Sequence, residues 1–379
     1  MAKVYDTATD LITFARLQAQ NTTSGSSYLG SDGLLKFAAE DEPRIEYGSD
    51  GALKGLLIEE LRTNLVTHSE DFSNAAWQKV GSVAIDSTLV TGPDGALSGR
   101  RVLNFADAGG HRLALYFPIT NATLTGSLWV KGEGSNIGKD IQIVVKRSGG
   151  TFVGANVSHT LTADWKRIHA TFTQDPTNTG ANVVLVNPSN GNEASEVLVY
   201  GAQLEVGSFA TSYIPTSGSQ QTRSADVASI PVSAFGYNQD AGTWLMEWDT
   251  ADTGNVQAKY VLSSGGNARV MYNNAGSTTF YSYDGSTPLP TYTNPTAITF
   301  DGSHIKAAYA EDDGGSSVAH TGVLGTGSGA SDLLPNYNPT YVWSIGNLNN
   351  AAYFLNGHIK SLSYYPRRLT NAQLQELTS

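Results

Sequence analysis

Asp-Gly and Asn-Gly pairs punctuate this sequence at Asp32-Gly33, Asp50-Gly51, Asp94-Gly95, Asp284-Gly285, Asp301-Gly302, Asn190-Gly191 and Asn356-Gly357. Such pairs supply the positive φ angles that tight hairpins need. The runs between them are short and rich in β-branched residues: Ile141-Gln-Ile-Val-Val145, Lys166-Arg-Ile-His-Ala-Thr-Phe172, Ala181-Asn-Val-Val-Leu-Val186 and Glu196-Val-Leu-Val-Tyr200. Their length and content are those of strands. Many short strands joined by frequent turns make an all-β chain built of sandwiches. One helix is expected, at the C-terminus. Thr370-Asn-Ala-Gln373 has capping-box form, Leu374 and Leu377 share a face, and Pro366 ends the strand before it. With about two turns, that helix must dock on a sheet to be stable.

Composition removes several function classes. The chain has no cysteine, which excludes thiol catalysis, thiolate zinc sites and a disulfide-pinned fold. Lys+Arg 23 against Asp+Glu 34 gives a net charge of −11, and no local basic patch offsets it, so nucleic acid is not an expected partner. Charged residues are only 15%, against about 25% in an average soluble domain, while Gly stands at 40 and Tyr at 18. The surface is therefore read as uncharged and polar, rich in Ser, Thr and Asn. Asp6 and Asp10 precede any apolar stretch, so no secretory leader is expected, and the longest apolar runs, such as Leu56-Leu-Ile58 and Val183-Val-Leu-Val186, fall far short of the roughly 20 residues of a spanning helix, so no membrane span is expected.

A length of 379 residues suggests two or three domains. Residues 1–63 form a small N-terminal β region with an internal echo, Ser31-Asp-Gly-Leu-Leu-Lys36 and Ser49-Asp-Gly-Ala-Leu-Lys54, read as two similar hairpin turns. Residues 64–215, with Trp77, Trp129 and Trp165, make one sandwich. Residues 216–225 are small and polar, a linker by composition. Residues 226–379, with Trp244, Trp248 and Trp343, make a second sandwich closed by the helix.

An enzyme needs named acids. Glu247-Trp248-Asp249, followed by Asp252, places alternate carboxylates on one strand face, the arrangement a retaining glycosidase uses; the plain alternative is a strand with one polar face. The histidines, His68, His111, His159, His169, His304, His320 and His358, stand singly and show no metal-ligand or triad spacing. Gly322-Val-Leu-Gly-Thr-Gly-Ser-Gly-Ala330 lacks the Lys-Ser/Thr ending of a phosphate loop. No cofactor and no metal site is expected, with Ca²⁺ left open at Glu311-Asp-Asp-Gly-Gly315, Asp284 and Asp301, whose oxygens suit that ion. The positive signal is aromatic. Tyr272, Tyr281, Tyr283, Tyr292, Trp343 and Asn347 gather in the second sandwich, where rings could stack on sugar C–H faces and amides bond hydroxyls. Tyr281 and Tyr283, two apart on one strand, are the first pair to test. Tyr and Asn are also ordinary on β surfaces and in turns.

Longer motifs carry a resemblance. Glu42-Pro-Arg-Ile-Glu-Tyr47, Gly55-Leu-Leu-Ile-Glu-Glu-Leu-Arg-Thr-Asn-Leu65 and Ser69-Glu-Asp-Phe-Ser-Asn-Ala-Ala-Trp77 resemble the opening of tailed-bacteriophage fibre, spike and head-decoration proteins. Ser127-Leu-Trp-Val-Lys-Gly132, Trp165-Lys-Arg-Ile168 and Gly201-Ala-Gln-Leu-Glu-Val-Gly-Ser-Phe-Ala-Thr-Ser-Tyr-Ile-Pro215 are similar to the jelly-roll carbohydrate-binding module of those proteins. Residues 226–379 resemble a concanavalin A-like or laminin-G-like lectin domain, chiefly through Phe354–Leu377. The resemblance implies a virion surface protein, made in the host bacterial cytoplasm, that meets host-surface polysaccharide. It implies a homo-oligomer, with a trimer favoured, docked on other virion proteins through residues 1–63, with no membrane insertion. Two rivals stand beside it: a capsid decoration or cement protein that binds no sugar, and a glycan hydrolase using Glu247 and Asp249.

Overall fold

The computed structural model describes residues 2–3, 13–16, 26–105, 111–119, 121–147, 154–174, 181–186, 191–251, 259–264, 270–273, 279–281, 291–293, 302–312, 315–328, 342–348 and 353–379. Their strands pair antiparallel throughout, and one α-helix, Asn371–Thr378, lies among the described residues. The all-β class read from the turns is the class the protein has. The turns themselves form as their chemistry directs. In the echoed motifs Asp32 Oδ1 accepts from the Leu34 N–H at 3.2 Å and Asp50 Oδ1 from the Ala52 N–H at 3.0 Å. Gly33 and Gly51 hold φ of 74° and 77°, where other residues are strained. A third copy closes at Asp94-Gly95, with Asp94 Oδ1 taking the Ala96 N–H at 3.1 Å.

The chain divides into two units: Gln18–Ala39 with Leu61–Arg223, and Met1–Leu17 with Glu40–Glu60 and Ser224–Ser379. The first is a jelly roll. Its eight principal strands in chain order are Leu97–Leu103, Arg112–Phe117, Thr123–Lys131, Asp140–Arg147, Gly154–Thr160, Lys166–Thr173, Ala181–Val186 and Val197–Val206. One sheet takes them in the order first, eighth, third, sixth, and the other fifth, fourth, seventh, second. That interleaving is the double Greek key of a jelly roll. Leu113, Leu115, Ile141, Ile143, Val197 and Val199 alternate inward to one core with Phe72 and Trp77.

Buried polar groups brace this unit. Asn64 is fully buried; its Nδ2 donates to the Ala202 and Ile214 carbonyls at 3.1 and 2.8 Å, and its Oδ1 accepts from the Val66 and Leu204 N–H groups at 3.0 and 3.2 Å. Gln203 Oε1 accepts from the Ile214 N–H at 2.8 Å, and Glu205 accepts from the Thr211 N–H and hydroxyl at 2.9 and 2.7 Å. The motifs Arg62-Thr-Asn64 and Gly201-Ala-Gln203 are thus one brace between a strand and its return loop.

The second unit stacks two eight-stranded sheets. The first runs Val323–Leu324, Gly315–His320, Ile305–Asp312, Ala241–Trp248, Gly357–Tyr365, Leu53–Ile58, Ile45–Tyr47, with Ala2–Lys3 also on Gly357–Tyr365. The second runs Thr13–Ala15, Val227–Pro231, Val342–Ile345, Lys259–Ser264, Val270–Asn273, Thr279–Tyr281, Thr291–Thr293, Thr326–Ser328. Trp244, Met246, Trp248, Leu262, Trp343, Ile345 and Tyr364 fill the space between. On the outer side of the first sheet the terminal helix buries Leu374 against Ala308, Ala310 and Ala319, a burial worth roughly 1.5–3 kcal/mol. Its capping box is complete, Thr370 Oγ1 taking the Gln373 N–H and Gln373 Oε1 the Thr370 N–H. Among the described residues no helix is long and apolar enough to cross a membrane.

The first 63 residues do not stand apart as one region. Their strands Thr13–Ala15, Ile45–Tyr47 and Leu53–Ile58 complete the sheets of the second unit, while Ser27–Leu29, Leu35–Phe37 and Arg62–Asn64 belong to the jelly roll. The reason is a buried ion cluster inside the second unit. Asp226 binds Arg16 at 3.1 Å and also Arg44, which binds Glu59 at 2.8 Å. Asp226 accepts the Glu59 N–H at 2.9 Å, and the Glu59 carbonyl takes the Asp226 N–H at 2.9 Å. Nor is 216–225 a free linker: Gln221–Arg223 pairs with Arg62–Asn64, and Thr216 and Arg223 are buried. Removing one member of a buried pair strands its partner. Asp226→Ala is therefore expected to lower stability by about 3–5 kcal/mol in urea denaturation followed by tryptophan fluorescence; a loss below about 1 kcal/mol would mean that the cluster is not holding the strands.

Candidate functional site

The aromatic candidates are partly brought together. Register sets Tyr260 opposite Tyr272 and Tyr272 opposite Tyr281 on three adjacent strands. At about 4.8 Å between strands the three backbone positions span roughly 10 Å, the scale of a short oligosaccharide. Tyr292 stands one row away, opposite Phe280. Tyr283 lies outside the described residues. At the near end of the row Tyr353 packs its ring on Tyr260 at 5.4 Å between centroids. Tyr353 is 47% exposed and holds a φ of 53°, an unusual left-handed conformation for a non-glycine residue. Burial, with Tyr353 beside it, raises the pKa of the Tyr260 phenol.

Nothing in the sequence marks Tyr260 or Tyr353 as a site residue. The strand of Tyr260 carries a register shift between Tyr260 and Leu262, which the apolar run Tyr-Val-Leu hides. The place of Tyr353 depends on a backbone angle that its residue type does not announce.

Two expected site residues are core instead. Trp343 is buried, its ring 5.3 Å from Trp244 and 6.1 Å from Tyr237. Its strand position opposite Ile230 faces it inward with Ile345. Asn347 is fully buried, its carbonyl accepting from the Ser263 hydroxyl at 2.8 Å. Neither side chain is available to a sugar.

The carboxylate pair is engaged in packing. His358 bridges two acids on the outer side of the first sheet: its Nδ1 lies 2.8 Å from Asp249 Oδ1, and its Nε2 lies 2.6 Å from Glu46 Oε2. The His358 N–H also donates to Asp249 Oδ1 at 2.8 Å. Glu247 accepts from Lys360 Nζ at 2.8 Å, and His304 Nδ1 stands 3.9 Å from Asp249. Asp252 lies outside the described residues. Held this way, Glu247 and Asp249 tie strands together. The cluster is assembled from positions 46, 249, 304 and 358, a separation over which no spacing rule could find it.

At the loop considered for Ca²⁺, Glu311 is buried and accepts from the Tyr309 hydroxyl at 2.7 Å, while Asp312 faces Arg368 at 3.6 Å. Asp284, Asp301 and Asp313 lie outside the described residues. Among the described residues no three His, Cys, Asp or Glu side chains converge as a metal site.

In the jelly roll, one sheet has its outer aromatic patch sealed. Trp129, Tyr200 and Tyr213 pack edge to face beneath Leu35 and Phe37 of the Ser27–Phe37 hairpin. Gly201, at φ 60°, makes room: a Cβ there would lie 3.1 Å from the rings of Trp129 and Tyr213. Burial raises the pKa of Glu70, though the Tyr213 and Tyr200 hydroxyls donate to it at 2.9 and 3.2 Å. Arg167 lies over Trp129 at 4.7 Å and donates to Ser127 and the Thr211 carbonyl.

No family model matches the chain, and no curated protein matches it. Among solved structures, the xylan-binding domain CBM22-1 of Paenibacillus barcinonensis Xyn10C aligns at 13% identity over 41% of this chain and 98% of its own, with a TM-score of 0.30. The tandem CBM22-1-CBM22-2 domain of the same protein aligns at 10% identity over 80% and 98%, at 0.32. Domains LG4-5 of the mouse laminin alpha1 chain align at 12% identity over 71% and 93%, at 0.24. Superpositions this loose carry no argument; the jelly-roll assignment stands on strand order alone.

His358 generates a pH prediction. Burial pulls its pKa down, but the hydrogen bonds and charges of Asp249 and Glu46 outweigh that and push it up to about 9. The unfolded chain titrates near 6.5. A group with a raised folded pKa contributes its full stabilisation below the unfolded value and loses it as pH rises through the folded one. Denaturation midpoints measured from pH 6 to 10 should therefore fall across about 6.5 to 9, and His358→Gln should be less stable at pH 6 and lose most of that slope.

Proposed function

We propose that this chain is a non-enzymatic surface protein of a tailed-bacteriophage virion that attaches to host glycans through its sandwiches. The carrying observation is the tyrosine row: an exposed Tyr353 whose ring packs at a tilt against Tyr260, with Tyr272 and Tyr281 in successive register beyond it. Rings with an apolar face and a polar tip suit sugars, which offer C–H faces and hydroxyls.

The phage assignment is supported by the motifs that carry the resemblance. From these motifs Arg44 and Glu59 enter the buried ion cluster around Asp226, and Asn64, Gln203 and Glu205 form the jelly-roll brace. Such positions specify a scaffold, while exposed residues determine what it binds. Because residues 1–63 are shared between the two units, docking on other virion proteins falls to the surface of a completed sandwich. The protein would be made in the host cytoplasm and displayed as a homo-oligomer, a trimer by the family resemblance. Several weak sites on one particle then add avidity without new contacts.

The test is retention of the full chain on an array of bacterial surface glycans. Tyr353→Ala and Tyr281→Ala are each expected to lower retention on the preferred glycan by about three- to tenfold, the effect of losing roughly 0.5–1.5 kcal/mol of ring contact. Retention on no glycan would leave the decoration or cement role in its place.

A further inference from the structure

One long sheet edge of the jelly roll is bare. Among the described residues every strand at a sheet edge is two or three residues long except two, Gly154–Thr160 and Lys166–Thr173, and both lie in the jelly roll. Short edges and charged edges resist pairing with other chains, and Lys166–Thr173 carries Lys166 and Arg167. The other strand, Gly-Ala-Asn-Val-Ser-His-Thr, has no Lys, Arg, Asp, Glu or Pro. Its register with Asp140–Arg147 runs unbroken from Asp140 opposite Thr160 to Lys146 opposite Gly154, with no bulge to twist the edge away. Burial, with the charges of Lys166 and His169, holds the pKa of His159 below its ordinary value, so the strand is uncharged at neutral pH.

The ladder fixes which main-chain groups face outward. The Leu161 N–H donates to the Lys139 carbonyl at 2.8 Å, one step beyond the pairing of Thr160 with Asp140. Bonded and non-bonded pairs alternate along an antiparallel ladder, so Ala155, Val157 and His159 turn their N–H and C=O groups to Val145, Ile143 and Ile141. Gly154, Asn156, Ser158 and Thr160 turn theirs away from the sheet, and these groups meet no main-chain partner among the described residues. Asn156, Ser158 and Thr160 are exposed, and Val157 between them is 36% exposed. The Ser158 hydroxyl accepts from Gln142 at 3.0 Å and the Thr160 hydroxyl donates to Asp140 at 2.8 Å, bonds that stay within the sheet.

We propose that Gly154–Thr160 pairs antiparallel with the same strand of a second copy of this chain, across a two-fold axis at Val157. Geometry selects the register. Bonded pairs must join residues whose main-chain groups face outward, and residues opposite each other must share a sheet face. Pairing Asn156 with Ser158 and Gly154 with Thr160 meets both conditions and uses the whole strand, with up to about eight inter-chain bonds. Val157 then meets its own copy in a non-bonded pair, where side chains come closest, and its apolar surface leaves water. A second copy suits this edge because an uncharged strand opposes itself without like-charge repulsion. The five-stranded sheets of the two copies become continuous. The contact rests on neither the tyrosine row nor the virion assignment. Alone it gives a dimer, and with a separate three-fold contact it joins two trimers.

The test is sedimentation velocity of the full chain at up to about 50 µM. An assembly of even copy number is expected. Val157→Lys sets two ammonium groups on the axis, and Asn156→Pro removes an outward N–H without removing a bond to Asp140–Arg147. Each should weaken association at least tenfold, with circular dichroism unchanged. Asn156→Ala keeps the main-chain groups and should associate like the wild type. Because the chain has no cysteine, cross-linking reads the register. Val157→Cys should form a disulfide-linked dimer on oxidation with diamide, since a non-bonded pair holds its Cα atoms about 4.5 Å apart, within the roughly 4.4–6.8 Å that a disulfide spans. Ser158→Cys should stay uncross-linked, because its opposite residue is Asn156 of the partner subunit and not its own copy. A monomer, which would leave the edge to a strand of another protein, overturns the proposal. So does equal cross-linking at 157 and 158, or an assembly that Val157→Lys and Asn156→Pro leave unchanged. A trimer indifferent to both variants would sink this contact alone and leave the oligomer of the virion reading standing.

Discussion

The contact on which one unit's architecture depends is the buried meeting of Arg44 with Asp226, joined by Arg16 and Glu59. Charges out of water are costly unless each has its partner, and here each carboxylate is matched by a guanidinium or a main-chain N–H. The four residues come from positions 16, 44, 59 and 226, so the cluster forms only when early and late chain segments meet. Leu53–Ile58 then lies between Gly357–Tyr365 and Ile45–Tyr47, and Glu46 reaches His358. A sandwich that looks C-terminal in sequence is in fact discontinuous, and the sheet bearing the tyrosine row carries Thr13–Ala15 at its edge.

Much of the fold was legible because its signals are local. Asp-Gly turns close where Asp32, Asp50 and Asp94 stand, and the capping box at Thr370 starts the helix where it should. These depend on a side chain and a backbone angle within a few residues. The division of residues 1–63 between two units was hidden, because strand pairing across 200 or more residues leaves no local mark. Composition also misled at 216–225: Ser, Gln and Thr suit a linker, yet Gln221–Arg223 is a paired strand.

The candidate sites divide along the same line. Tyr272 and Tyr281 could be chosen as aromatic strand residues, and register does set them side by side. Trp343 had the same credentials, but strand alternation points it into the core against Trp244; residue type alone does not distinguish the two faces of a strand. Asn347 shows the same limit for amides. The His358 bridge is a product of topology, assembled from residues that are unremarkable one at a time.

Buried polar networks fix the two scaffolds, and the tyrosine row of the second unit is the face proposed for sugar. One measurement tests it most directly: incubating the full chain with purified host-surface polysaccharide and following, in the same sample, the fraction bound and the length of the polymer. Saturable binding with polymer length unchanged is the result the account predicts. Shortening of the polymer, or no saturable binding to polysaccharide from any susceptible host, would contradict it.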